Sequence, residues 1–213
     1  MHHRGLRPRR QGHARMARRR PRTRKELTMG VYTDYREWAS RRLWKLQDAY
    51  LNDTYTRGPL AILARSITKE PGTDPKAAKW SIKGMPDTTS RPDNYHTPLE
   101  QGSWNAFALY AIHQRTAGHT QGMYTRGVTV EQALARLEQA DPDSRRRIRK
   151  LTNTRTMKEA VTILKELIRT MGDHHITLDH TILAIDLARL ENPNLRQRVL
   201  GRWANHRPDT TDD

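Results

Sequence analysis

Apolar residues recur along most of this chain at steps of three and four, and nowhere in sustained alternation. That period constrains the fold more than any other feature. It buries one stripe of a helix and cannot supply the alternating faces of a half-buried strand. Clusters of β-branched residues are few, and no hairpin dipeptide separates them. The expected fold class is all-α, a bundle of about eight helices joined mostly by short connections. No repeat of solenoid period is visible.

The stripes can be placed one by one. After Val31, the residues Tyr35, Trp38, Ala39, Leu43, Leu46 and Tyr50 share a face, and four of the five tryptophans, all but Trp80, are assigned to core-facing positions. Leu60, Leu63, Ala64 and Ile67 define a shorter helix over 58–68, with Pro59 tolerated in its first turn. Residues 70–97 carry six prolines and glycines among small polar residues, so a long loop is expected there, with a brief helix around Pro75–Ile82. Loops of this length are usually functional or mobile. Pro98 opens the next helix, with Trp104, Phe107, Ala108 and Ala111 inward up to Gly118. Thr129 to Gln132 and Thr156 to Glu159 read as capping boxes, and Asp141 before Pro142 reads as an N-cap. Gly172 is the expected stop of the helix through Leu164 and Leu167. Leu178 to Leu190 form a wide apolar stripe. Asn192-Pro193 starts a last helix, with Leu195, Val199 and Trp203 inward.

Charge narrows the function. Lys and Arg total 39 against 23 Asp and Glu, a formal net charge of +16. Residues 1–28 hold ten arginines and Lys25 against the lone Glu26, so +10 sits there and +6 on the remainder. With so few apolar residues, 1–28 is expected to be a disordered basic extension. Three readings fit it: a polybasic arm, an organelle transit segment without the usual apolar face, or an over-long translation start with Met16 or Met29 as the initiator. Residues 29–207 form the expected helical nucleic-acid-binding domain, and 208–213 an acidic tail. A basic surface draws polyphosphate or anionic lipid through its field. No apolar run approaches the roughly 18 residues of a membrane span, and mean hydropathy is −0.94. The absence of cysteine excludes disulfides and thiol chemistry and fits a cytoplasmic protein.

No catalytic constellation emerges. Asp173, His174, His175, Asp179 and His180 are the densest titratable cluster, but they fall in a helix connection where polar residues are ordinary. His113 and His119 flank a helix end, and core or capping roles suit them better than ligation. No P-loop, dinucleotide fingerprint or nucleophile elbow occurs. The expectation is a non-enzyme without cofactor or metal.

The basic groups are more telling. Arg145 to Lys150 places five cations in six residues, with Ile148 and Leu151 held to the core. Arg155, Lys158, Lys165 and Arg169 follow at roughly helical spacing. The planar fork of Arg suits phosphate, although a solvated charge is the ordinary role of any one of them. Exposed aromatics between basic residues, as in single-strand readers, are not evident. Thr129 to Lys150 mimics a helix-turn-helix but lacks a glycine turn. Binding of backbone without reading of sequence is therefore expected. A stand-alone DNA-binding regulator and a basic scaffold protein remain open alternatives.

Four segments together carry a resemblance. They are Trp38 to Leu46 followed by Arg57 to Arg65; Trp104 to Ala111; Val130 to Ala135; and a C-terminal set of Arg146, Arg147, Ile148, Leu151, Leu164, Leu167, Ile168, Ile182, Val199 and Trp203. In order and spacing they resemble the CasB family, the small subunit of the type I-E CRISPR surveillance complex Cascade. The 1–28 extension, the 70–97 insertion and the replaced leucine-glycine near Val130 depart from the family pattern. The resemblance implies a two-lobed helical protein without nuclease activity, which pairs with a second copy and with other Cascade subunits. It would hold the backbone of single-stranded DNA, chiefly the displaced non-target strand, and of the crRNA–DNA heteroduplex, and so stabilise the R-loop. Arg57, Arg65, Arg146, Arg147 and Arg155 are the contacts it implies. Arg149, Lys150, Lys165 and Arg169 are added from charge spacing alone.

Overall fold

The computed structural model describes residues 24–52, 57–86 and 96–206, and the side chains of 24–29 are not described. Nine α-helices occur among the described residues. They are α1 (Arg24–Asn52), α2 (Arg57–Ser66), α3 (Pro75–Ser81), α4 (Pro98–Ala117), α5 (Val130–Ala140), α6 (Arg145–Thr152), α7 (Met157–Asp173), α8 (His180–Leu190) and α9 (Pro193–Ala204). The only extended pairing among them is an isolated parallel bridge between Tyr124 and Leu178.

The stripes of the sequence become the core. All six residues named on α1 are buried, as are Trp104, Phe107, Leu164, Leu167 and Trp203. Helix α4 is buried along most of its length and packs against α2, α7 and α8. Helices α1 to α3 lie against α4 and α8 from one side of the sequence, and α5 to α7 with α9 from the other. One continuous apolar cluster runs through both groups.

The α4–α8 crossing depends on the absence of a side chain at Gly102, where a Cβ would run into the Ala184 carbonyl oxygen. Polar ties pin the rest. The Trp104 indole N–H donates to the Ser66 carbonyl at 3.0 Å, closing the end of α2. The Ser103 hydroxyl donates to the Ser81 carbonyl at 2.5 Å, fastening α3 to α4. Gln47 accepts from the Tyr124 N–H at 2.7 Å, and Gln114 accepts from the Met123 N–H at 2.9 Å, so the connection after Gly118 is laid onto α1 and α4.

Helix starts follow the capping signals. Thr129 with Gln132 forms a reciprocal box, and so does Thr97 with Glu100 ahead of Pro98. Thr156 caps α7, but the Glu159 carboxylate accepts from the Arg155 N–H instead of closing the box. The Pro75–Ile82 expectation is met by α3, whose N-cap Asp74 accepts from the N–H groups of Lys76 and Ala77.

Several expectations are corrected. Asp141 makes no side-chain cap, and Pro142–Ser144 forms a 3₁₀ turn leading into α6. Gly172 does not end α7; it lies inside the helix, where a Cβ would sit 2.9 Å from the Thr116 side chain of α4. It is a close-approach glycine, not a cap. Helix α1 begins at Arg24, inside the segment expected to be an unstructured extension. Trp44 faces solvent, 48% exposed, edge-on to Tyr124 at 5.3 Å. Its distance from Trp38, six residues, turns it away from the apolar stripe by about 120°. Residues 1–23, the Pro92 region of the long loop and the acidic tail lie outside the described residues.

Candidate nucleic-acid interface

The cations named from sequence fall into two places and a remainder. Arg65 from the last turn of α2 and Lys165 and Arg169 from α7 converge on an open cleft of about 490 Å³. A fourth cation joins them, Arg115 from the last turn of α4. Sequence reasoning missed Arg115. The helical wheel gave no signal for it: four residues past Ala111 it falls in line with the apolar stripe, and it is exposed only because it stands in the last turn of α4. Arg65, Arg115 and Lys165 take part in no ion pair among the described residues, whereas Arg169 is held by Glu166 at 3.0 Å.

The second place is a groove of about 680 Å³ between α6 and α7, lined by Arg146, Arg149 and Lys150 with Asn153, Glu159 and Ile163. Ile148 and Leu151 anchor α6 to the core, so the neighbouring cations are forced outward. Arg147 is half-buried and donates to the Thr170 hydroxyl at 3.3 Å, which commits part of its fork to the protein itself. Arg57 and Arg155 are exposed and line neither concavity. Arg145 is engaged by Glu138, whose carboxyl is held below its ordinary range by hydrogen bonds from Arg145 and His206.

The two places are separated electrically. At about 100° per residue, Lys165 and Arg169 occupy one edge of the exposed face of α7 and Glu159 and Ile163 the other, with Glu166 between. A polyanion crossing from one to the other would meet those carboxylates.

The titratable cluster after α7 is pulled apart by the fold. His174 and His175 are exposed, while Asp179 and His180 turn inward. Asp179 caps α8 through the N–H groups of Thr181 and Ile182 and accepts from the Gly127 N–H at 2.8 Å. His180 Nε2 lies 3.3 Å from His113 Nδ1, both rings fully enclosed. Burial depresses both imidazoles, His180 to about 3. His119 stacks on Tyr50 with ring centres 4.2 Å apart, and its Nδ1 is 2.9 Å from the Tyr50 carbonyl. No group of three or more His, Asp or Glu among the described residues is arranged to hold a metal. No helix among them is long and apolar enough to cross a membrane.

The fold and surface define an all-helical protein with open basic concavities. The sequence model of the family described as CRISPR-associated protein Cse2 matches residues 59–206, and the chain belongs to that family. Among solved structures it is similar to CasB from Thermobifida fusca, at 25% identity and a TM-score of 0.62, covering 83% of this chain and 96% of that one. CasB from Thermus thermophilus shares the fold at 20% identity, with a TM-score of 0.53 and coverage of 79% and 96%. A second structure from Thermus thermophilus, described as a CRISPR-associated protein of the Cse2 family, does so at 20% identity and a TM-score of 0.56, with coverage of 79% and 96%. No curated protein matches the sequence.

Proposed function

We propose that this chain is the non-catalytic small subunit of a type I-E CRISPR Cascade complex. In that role it assembles with the larger subunits and a second copy of itself, and it holds nucleic-acid backbone without reading sequence. The convergence of Arg65, Arg115, Lys165 and Arg169 from three helices on one open cleft carries the reading. Guanidinium and ammonium groups from separate elements meet there with one carboxylate, Glu166, at the edge. Such a surface grips phosphates and ignores bases. A non-catalytic role is supported by how the acids and histidines are engaged, in caps, ion pairs and a sealed imidazole pair. R-loop formation is a near-balanced exchange of one duplex for another, so a few backbone contacts on the displaced strand suffice to tip it.

The test is R-loop lifetime in a crRNA-guided complex reconstituted with and without the full chain. The chain should lengthen that lifetime. Arg65→Ala/Arg115→Ala/Lys165→Ala should abolish most of the gain, and Arg146→Ala/Arg147→Ala/Arg155→Ala should remove a further part. Each lost contact on single strands should flatten the salt dependence of binding by roughly 0.7 in log–log slope. A chain without effect on the R-loop would return the stand-alone regulator or the scaffold to first place.

A further inference from the structure

A third concavity, about 740 Å³, opens between α1 and α3. Its α1 wall lies outside the residues matched by the family model. Arg41 and Lys45 stand on α1 and Lys79 and Lys83 at the end of α3, all four exposed and lining the opening. None of them takes part in an ion pair among the described residues, and no carboxylate lines the groove.

The floor is firmly built. Arg42 reaches across from α1 and donates to the Lys79 carbonyl at 2.8 Å and the Lys83 carbonyl at 2.9 Å. Its guanidinium lies 4.4 Å from the centre of the Trp38 ring. Arg42 is thus a strut that caps the carbonyl end of α3 and fixes the width of the groove. Half-buried Trp80 sits beside it, with the Lys79 ammonium 5.9 Å from its ring.

The spacing of the four free cations matters. Arg41 and Lys45 are four residues apart on α1, so like charges are set as neighbours there, while Lys79 and, past the Ile82 C-cap, Lys83 line the same opening from α3. Like-charged neighbours cost stability unless an anion lies between them. A peptide strand docking by main-chain pairing would find the Lys79 and Lys83 carbonyls already accepting from Arg42. Phosphates spaced along a strand need only the cations, and the Trp80 face with the lysine stems offers the apolar wall on which sugars and bases rest in single-strand binders.

We propose that the α1–α3 groove is a second track for single-stranded nucleic acid, with Arg41, Lys45, Lys79 and Lys83 on the phosphates and Trp80 against a base or sugar. The inference rests on the reading of this chain as a backbone binder.

The test is titration of the full chain with a fluorescein-labelled oligothymidylate over a series of salt concentrations. Lys45→Ala/Lys79→Ala/Lys83→Ala should lower the log–log salt slope by about two, with helicity unchanged by circular dichroism. Quenching of tryptophan fluorescence by the oligonucleotide should disappear in Trp80→Phe; persistence of the quenching would overturn the role given to Trp80. The cleft variant Arg65→Ala/Arg115→Ala/Lys165→Ala separates the two ideas. If only the cleft variant loses slope, the groove is not a track, and the proposed function stands. If neither variant changes, both fall. If labelled polyglutamate at equal charge binds the wild type more tightly than the oligonucleotide does, and the groove variant loses that binding while keeping the oligonucleotide slope, the groove belongs to an acidic protein segment, and the strand assignment is overturned.

Discussion

A buried imidazole is a pH-dependent liability, and this chain buries two in contact. His113 and His180 are neutral inside the fold, because burial penalises the cation and a proton on one would repel a proton on the other. In the unfolded chain each titrates near the ordinary value of about 6.5. Their folded values are depressed, so the unfolded state binds more protons as pH falls below about 6.5, and stability falls with it. The loss is bounded at about 1.4 kcal/mol per pH unit for each ring. Urea midpoints at pH 7.5 and 5.5 should show this acid sensitivity. His180→Gln should roughly halve it, while a difference unchanged in His180→Gln would place the acid-labile group elsewhere.

At the scale of the helix, two glycines have opposite roles. Gly102 lets α4 approach α8, and a Cβ there meets the Ala184 carbonyl and, at 3.0 Å, the Ala188 N–H nitrogen. Backbone cannot rotate away as a side chain can, so Gly102→Ala must push the helices apart, at a cost of about 1–3 kcal/mol. Gly201 lies on the exposed side of α9 with no atom near its missing Cβ. There Gly201→Ala removes only unfolded-state freedom and should stabilise by about 0.5–1 kcal/mol. Thermal unfolding should therefore move down for the first and up for the second, by about 2–4 °C per kcal/mol. The helices themselves were legible, because apolar period and Thr-initiated boxes are local signals that survive packing. What packing decides was not. Gly172 looked like a stop because a glycine near a helix end usually is one, and only the position of Thr116 on another helix reveals its purpose. Trp44 was assigned inward by residue type, although its angular position on α1 already argued against it.

Across the molecule, the basic surface is parcelled by its own acids. Glu166 holds Arg169 at the cleft and lies on the path toward the α6 groove. Glu166→Gln should free that guanidinium and remove a repulsion, tightening binding of any oligonucleotide at low salt and leaving sequence preference absent. Equal affinity in 50 mM and 200 mM salt for variant and wild type would show that this part of α7 meets no polyanion. From sequence, the richness in cations was plain, and so was their outward direction on α6. Their grouping was not, because Arg65, Arg115 and Lys165 are brought together by the crossing of α2, α4 and α7 and have no shared local signature.

Helix α4 also sets a length. It carries Arg115 into the cleft near one end, and near the other its Ser103 is bonded to α3, the wall of the tryptophan-sided groove. Twelve residues of α-helix separate those points, on the order of 18 Å of rod. A buried helix neither stretches nor hinges, so the cleft at one end and the α3 wall at the other are held to a common rod. If both surfaces hold a strand as proposed, the interval between them is fixed by the fold. Length of strand, rather than its letters, would then be the property selected.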